Sequence, residues 1–421
     1  MPERILRRFG LLATIVTLTA YVLVHAAALI DAPIHSDGYS YYVYLPAWFL
    51  HHDPSLQAVA DDCCGGTFPA FTSIVRWPAT GRWINPHPIG VALATAPLFL
   101  SAHLLTRWSN LPPDGFSLYY QHAAGLAGAA ACLVGLLYLR SLLSRYFNAS
   151  VVLATLTTIV LGTNLFHYAT YDSTFSHAFS FALLAALLDL TDRWWREPAW
   201  PASLALSIVA ALIVLTRHSN LMFLCIVPLW NPAGLWNRRW LLLAMCAVAA
   251  LCCIPQLVIY KQATGRWLVS VYGQLGQFDF ARPRLWSVLF GVAKGLFFWS
   301  PVLLLSAAGF FVDHPLARRL RAAAALTFVL NTWLIASWSD WQFGASFGHR
   351  GYTDGLPIAA VFMAATFDWI RRRPRLVAPA AACVTVLVAL SCVQMVQYWL
   401  RILPMANTTW PQYRDLFLRF R

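Results

Sequence analysis

Charge is scarce in this 421-residue chain: only 11% of its residues are Asp, Glu, Lys or Arg, against 59% apolar. Soluble domains carry roughly 25% charged residues, so a water-facing surface cannot be assembled from this sequence. No stretch is polar enough to form a separate soluble catalytic domain. Metal-type cysteine spacing is also absent. Most of the 9 cysteines lie inside apolar runs, where a thiol serves as a small buried hydrophobe. Cys63 and Cys64 stand apart, adjacent in a loop; disulfide geometry strains so short a ring, so they are not expected to bond and have no assigned role. A small-residue cleavage site is missing after the first apolar run. The ~22 residues that follow Arg7 and Arg8 therefore read as a retained helix rather than a removed signal. The net charge of +13 does not imply nucleic acid, because the basic residues sit in short clusters between apolar runs and not along one stripe.

What the chain does have is a succession of near-uncharged runs of 15 to 24 residues. About 20 apolar helical residues cross the hydrocarbon core of a bilayer. The sequence thus predicts an all-α polytopic integral membrane protein, one transmembrane domain over residues 1–421. Short cytoplasmic loops collect Lys and Arg. The clusters here are Arg4/Arg7/Arg8, Arg140/Arg145, Arg193/Arg196, Arg238/Arg239, Arg318/Arg319/Arg321 and Arg371/Arg372/Arg373/Arg375. Placing all six inside gives about 11 spans, within a range of 9–13. They are 9–30, 119–142, 149–169, 175–192, two short legs within 201–230, 240–260, 295–312, 321–338, 356–370 and 376–400. Arg217 then stands at the outer turn between the two short legs. Residues 31–118 become a large first extracytoplasmic loop with amphipathic juxtamembrane helices. Segment 88–106 is laid along the outer leaflet, since letting it cross would throw Arg140 and Arg193 outside.

With that orientation the unusual polar residues collect on the outer side. HSDGYSYYVYLPAWFLHHD follows the first helix and props Asp37 at the surface. Its Tyr39, Tyr41, Tyr42, Tyr44 and Trp48 are expected at the headgroup level, with a bend at Pro46. YDSTFSH supplies Asp172, Ser176 and His177, and LTRHSN supplies Arg217, His218 and Asn220. A mid-membrane lysine would cost about 2.5–3.5 kcal/mol, so Lys294 is placed at the outer boundary. SDWQFGASFGHRGYTDG adds Asp340, Trp341, His349, Arg350 and Asp354. Acids beside bases and cations on one rim suit group transfer from a lipid-phosphate donor. Lys294, Arg350 and Arg217 are candidates for the donor phosphate, because leaving-group charge must be neutralised where water is partly excluded. His177, Asn220, Tyr41 and Trp341 are candidates for substrate contacts. His35, His87 and His349 read as structural or solvated.

The ordered set DGYSYYVYLP, NPHPIGVALATAPLFLSAHLL, SHAFSF, LTRHSN, KGLFFWSPVLLL and WSDWQFGASFGHRGYTDGLP resembles the GT-C superfamily of membrane glycosyltransferases. That superfamily includes protein O-mannosyltransferases and the lipid A aminoarabinose transferase, and the likeness is greatest to its many uncharacterised bacterial members. The motifs run from about residue 35 to 360. The resemblance implies a GT-C-like fold in a bacterial inner membrane, a polyprenyl-phosphate sugar donor and catalysis at the periplasmic or exterior face. It also implies a general base at Asp37 and a second acidic position at Asp172 that helps bind the acceptor or a metal. Members with paired acids carry a glutamate beside the first aspartate, where this chain has Gly38. A low-dielectric interface should raise the pKa of Asp37 and make it a better base. A divalent cation, Mg or Mn, bridging Asp37, Asp172 and a histidine such as His35 or His177 is the implied cofactor candidate. The partners expected are the lipid-linked donor, membrane lipids and an extracytoplasmic glycolipid, polysaccharide or protein. A transporter or flippase of a lipid-linked substrate is the competing reading, but transporters commonly show inverted repeats and midplane ionisable groups, and neither is found.

Overall fold

The computed structural model describes residues 2–26, 32–269 and 276–420, so the far end of the expected first span lies outside the described residues. The chain is 71% helical. The sheet among the described residues is one antiparallel pair of two-residue strands, Val75–Arg76 and Trp83–Ile84. Among the described residues, five helices are long and apolar enough to cross a membrane: Phe9–Ala26, Leu118–Ser144, Pro232–Thr264, Pro315–Ser337 and Pro374–Trp399. Of the other expected spans, Ser176–Arg196 is long enough at 21 residues but carries Asp189, Asp192, Arg193 and Arg196, and several of the rest are shorter or interrupted. Segment 149–169 divides into Ala149–Leu161 and Leu165–Thr170. Segment 295–312 falls into Leu296–Trp299, a 3-10 turn Pro301–Leu303 and Leu304–Gly309. The physical reason for that break is Pro301, which lacks an N–H and disfavours the α conformation at Ser300.

Contacts along Ser176–Arg196 assign each helix end to one of two sides. His177 opens this helix and Asp189 and Asp192 lie toward its close, which separates the two groups by roughly 18–23 Å at 1.5 Å per residue. Asp189 and Asp192 gather arginines from three clusters. Arg145 reaches both acids at 2.7 and 2.9 Å. Arg193 pairs with Asp189, Arg196 with Asp192, and Arg319 lies 3.7 Å from Asp192. Arg238 donates to the Trp194 carbonyl and stacks on the rings of Trp194 and Trp195. Four of the basic clusters thus share one end. The out-and-back course of 201–230 is visible at the same end, where Trp194 bonds Ser203 and Trp195 bonds the Val227 carbonyl, while Arg217 and Asn220 meet His177 and Asp354 at the other. The return leg covers that distance in few residues because His218–Cys225 is drawn out as a 3-10 helix, which rises about 2.0 Å per residue.

Helices in lipid gain little from burying apolar groups, so close approach of backbones holds them together. Gly135 lies against Phe181 and Ala182, and Gly128 two turns earlier lies against the Ser173 carbonyl, so that any larger residue would collide. Leu118–Ser144 and Ser176–Arg196 therefore run side by side and in the same direction. Phe9–Ala26 packs antiparallel on Leu118–Ser144, with Gly10 near Leu137 and Tyr21 against Gly125.

Two expectations about the first loop are corrected. Tyr41, Tyr42 and Tyr44 are buried rather than seated at a headgroup level, because their hydroxyls find protein partners: Tyr42 donates to the Gly115 carbonyl and Tyr44 to that of His87. The helix is interrupted at Val43, between Ser36–Tyr42 and Tyr44–Phe49, one turn before Pro46, whose missing N–H leaves the Tyr42 carbonyl without its helical donor, in line with the expected effect of Pro46. Cys63 and Cys64, expected to stay apart, are joined by a disulfide.

Candidate active site

Asp37 owes its position to a pedestal built from the 171–175 turn. Ser36 takes φ +47°, a left-handed conformation that costs about 1–2 kcal/mol outside glycine. Neighbours on both sides hold it there. The Ile34 N–H donates to Gln121, Thr174 donates to the Pro33 carbonyl at 2.8 Å, and His35 Nε2 donates to Asp172 at 3.1 Å. Gly38 is pressed against Thr174, with no room for a side chain. A glutamate beside Asp37 does not fit this packing, which explains the glycine.

Asp172 is clamped on both oxygens. The Trp399 indole donates to His167 Nδ1, and an indole can only donate, so the His167 proton sits on Nε2 and is given to Asp172 Oδ2 at 2.8 Å. His35 turns Nδ1 toward the carbonyls of Ala32 and Pro33 and Nε2 toward Asp172 Oδ1. All three partners are acceptors, an arrangement that favours the imidazolium. Burial opposes that charge, but Asp172 outweighs it and the His35 pKa is raised. Burial likewise opposes the Asp172 carboxylate, and His167 and His35 still hold it well below the usual range. The sign of the pH effect follows. His35 stabilises the fold fully below its unfolded value of 6.5, and this contribution is lost as pH rises through the higher folded value. Asp172 contributes above 3.8 and loses its share on acidification. Wild type is therefore expected to melt above His35→Asn by a margin worth up to about 1 kcal/mol for a partly exposed pair. Thermal unfolding in detergent should show that margin below about pH 6 and its decline toward pH 9; a margin that widens with pH would refute the imidazolium assignment.

Three further segments meet Asp37. Arg350 Nη1 lies 2.8 Å from Asp37 Oδ2, and its guanidinium sits over the rings of Phe175 and Phe343. The turn Arg350–Gly355 is pinned from outside: Asn331 donates to the Gly351 carbonyl, Tyr352 to Thr332 and Thr353 to Asn164. Asp354 then buttresses the rest, taking His177 at 3.1 Å, Asn220 at 3.0 Å and Arg217 at 3.5 Å. A cavity of about 370 Å³ opens among these groups, lined by Asp37, Tyr41, His177, Arg217, Asn220 and Arg350, with His87, Asp340 and Asp354. Burial alone would raise the Asp37 carboxyl, but Arg350, followed by His87, His177 and Arg217, holds it below the ordinary value. The expected rise is thus overturned by an ion pair. In this cavity it is Asp340 whose carboxyl burial pushes up.

The fold that carries this cavity has a counterpart among solved structures. The archaeal oligosaccharyltransferase AglB from Archaeoglobus fulgidus, in complex with an inhibitory peptide and a dolichol-phosphate, is similar at a TM-score of 0.52 and 11% identity, over 98% of this chain and 57% of that one. The fold is GT-C-like. The chain spans somewhat more than half the length of that protein, and the likeness at this identity concerns the fold alone. Neither a protein-family model nor a curated protein matches.

Within the GT-C-like fold, three of the expected site residues are not brought to Asp37. Asp172 faces a second cavity of about 180 Å³, with His35, Tyr171, Tyr398 and Arg401; Phe175 lines both cavities. Lys294 is turned inward, its ammonium donating to the carbonyls of Ser346 and Met405 near the Tyr398 ring. Burial pushes its pKa down to about 7, with Arg350 adding to the effect. Its donated hydrogen bonds fasten the 339–349 loop to the tail, and the amine is not presented to either polar cavity. Trp341 packs on the helical core near His349, while Trp338 and Phe343 line the cavity in its place. The expected cation bridge does not fit these residues. The two acids line separate cavities and face Arg350 or imidazole N–H groups, and among the described residues no group of three or more His, Cys, Asp or Glu side chains is arranged to hold a metal ion.

Proposed function

We propose that this chain is a glycosyltransferase that moves a sugar from a polyprenyl-phosphate donor to an extracytoplasmic acceptor, at the outer face of a bacterial inner membrane. What carries the reading is the meeting of the Asp37 carboxylate with Arg350 and Arg217 in a single cavity, beside an apolar groove. That groove, of about 420 Å³, is lined by Leu303, Phe310, Ala324, Phe328 and Phe362 and shares Asn331 with the polar cavity. A lipid-linked sugar has this same division, a charged head on a long hydrocarbon tail. The basic end of the helices then faces the cytoplasm.

In the reaction, Asp37 takes the proton of the acceptor hydroxyl as its oxygen bonds to the anomeric carbon. The bond between that carbon and the phosphate oxygen breaks, and the electron pair leaves on the phosphate. Arg350 neutralises the leaving group, aided by Arg217, in a site partly closed to water. Tyr41, His177 and Asn220 shape the pocket around the sugar. Asp172 acts as a positioning residue, holding residues 33–36 through His35 so that Asp37 projects into the cavity. Mass spectrometry of envelope glycans from cells with and without the gene tests the assignment. A sugar missing from one acceptor in the deleted strain is expected. Unchanged glycans, with purified protein carrying intact lipid-linked sugar across proteoliposomes, would instead identify a transporter.

A further inference from the structure

Resting on the reading above, we infer that Asp37 and the donor phosphate compete for Arg350, so that arrival of the lipid-borne phosphate frees the base. Among the described residues Arg350 has one close anionic partner, Asp37 at 2.8 Å. Its Nε is buried with no hydrogen-bond partner among the described residues. A guanidinium presents five N–H donors in a flat fork that suits a phosphate better than a single carboxylate oxygen. Phe175 and Phe343 flank it, so the charge stays in the cavity when its partner changes. Arg217 is held by Asp354, which leaves Arg350 as the cation placed to exchange. His87, His177 and Arg217 also act on Asp37, and Asp340 and Asp354 line the same cavity.

The exchange breaks one ion pair and forms another, with no covalent change. Before it, the carboxylate is stabilised by a cation and is a poor proton acceptor. Afterwards the guanidinium sits on the phosphate and Asp37 is free to accept the acceptor proton. An empty or wrongly loaded site would thus keep its base quiet, and hydrolysis of the donor by stray water would be suppressed until the phosphate is in place.

A double-mutant cycle on lipid binding tests this. Undecaprenyl monophosphate is titrated into the full chain in nanodiscs, using wild type, Asp37→Asn, Arg350→Gln and the double variant. Competition predicts that Asp37→Asn binds about tenfold more tightly, and that Arg350→Gln binds at least about tenfold more weakly, each tenfold being one ordinary ionic contact. The decisive comparison is the double variant. If Asp37 acts through Arg350, its replacement changes affinity by less than about twofold once Arg350 is gone. A tenfold gain that persists without Arg350 would mean plain charge repulsion and overturn the exchange. No gain in Asp37→Asn, with Arg350→Gln still weakened, would overturn it too, while leaving the proposed function standing. Wild type that binds no lipid phosphate would sink both. Arg350→Met, which also removes the charge but keeps more of the apolar stem between Phe175 and Phe343, repeats the cycle should Arg350→Gln unfold; there too a full gain in the double variant overturns the exchange.

Discussion

Replacing Asp37 by asparagine is expected to lower sugar transfer by about 100- to 10,000-fold, the usual share of a positioned general base, while leaving the folded chain in the membrane. Asparagine keeps an oxygen for Arg350 and fills the same space, so the turn Arg350–Gly355 and its anchors on Asn331, Thr332 and Asn164 are undisturbed. What is lost is a site able to accept a proton. The rate of transfer from polyprenyl-phosphate sugar in isolated membranes reads the effect. Asp340→Asn is the necessary comparison, because Asp340 lines the same cavity and burial raises its carboxyl. Asp340 belongs to the loop and has no pedestal such as that under Asp37, so its replacement should cost less than tenfold. A loss in Asp340→Asn as large as that expected for Asp37→Asn, with Asp37→Asn active, would move the base to residue 340.

The sidedness of the polar residues was legible because it depends on one strong rule, that charged side chains avoid hydrocarbon. The grouping of Arg145, Arg193, Arg196, Arg238 and Arg319 at one end of Ser176–Arg196 follows from it, as does the placing of Asp37, Arg217, Arg350 and His177 at the other. The partners of those groups were not legible. Lys294 looks in sequence like a boundary cation, and nothing in its neighbours KGLFFW announces that the chain folds back so that Ser346 and Met405 offer it their carbonyls. The pKa of Asp37 was misjudged for the same reason: the dielectric was foreseeable, but an arginine 313 positions away was not foreseeable as a contact at 2.8 Å. Helix continuity failed where local chemistry was underweighted. Ser300-Pro301 and Gly162-Thr163-Asn164 both break runs that are apolar enough to span. His167 was missed altogether, although a histidine five residues before Asp172, on the short helix Leu165–Thr170 that runs into the 171–175 turn, was a readable signal.

Arg145→Met should destabilise the fold by about 3 kcal/mol, the low end of what breaking a buried ion pair costs, without touching the candidate site. Arg145 is the residue that bridges Asp189 and Asp192, and both of those side chains are fully buried. Methionine replaces its apolar stem but leaves the two carboxylates facing one another with Arg193, Arg196 and Arg319, all about half exposed. These can turn to water; the acids cannot. The loss should appear as a lower unfolding midpoint in detergent. The origin of the loss is separable from lost packing, because adding Asp189→Asn and Asp192→Asn to Arg145→Met removes the stranded charges and should regain most of the stability. If the triple variant is no more stable than Arg145→Met, the knot holds by packing and not by charge. Transfer activity measured well below the melting temperature should survive in Arg145→Met, since roughly 18–23 Å of helix separate these acids from His177 and the cavity. That combination, a weakened basic end with a working polar end, is what the proposed function requires of a bundle anchored by arginines at one end and carrying the candidate site at the other.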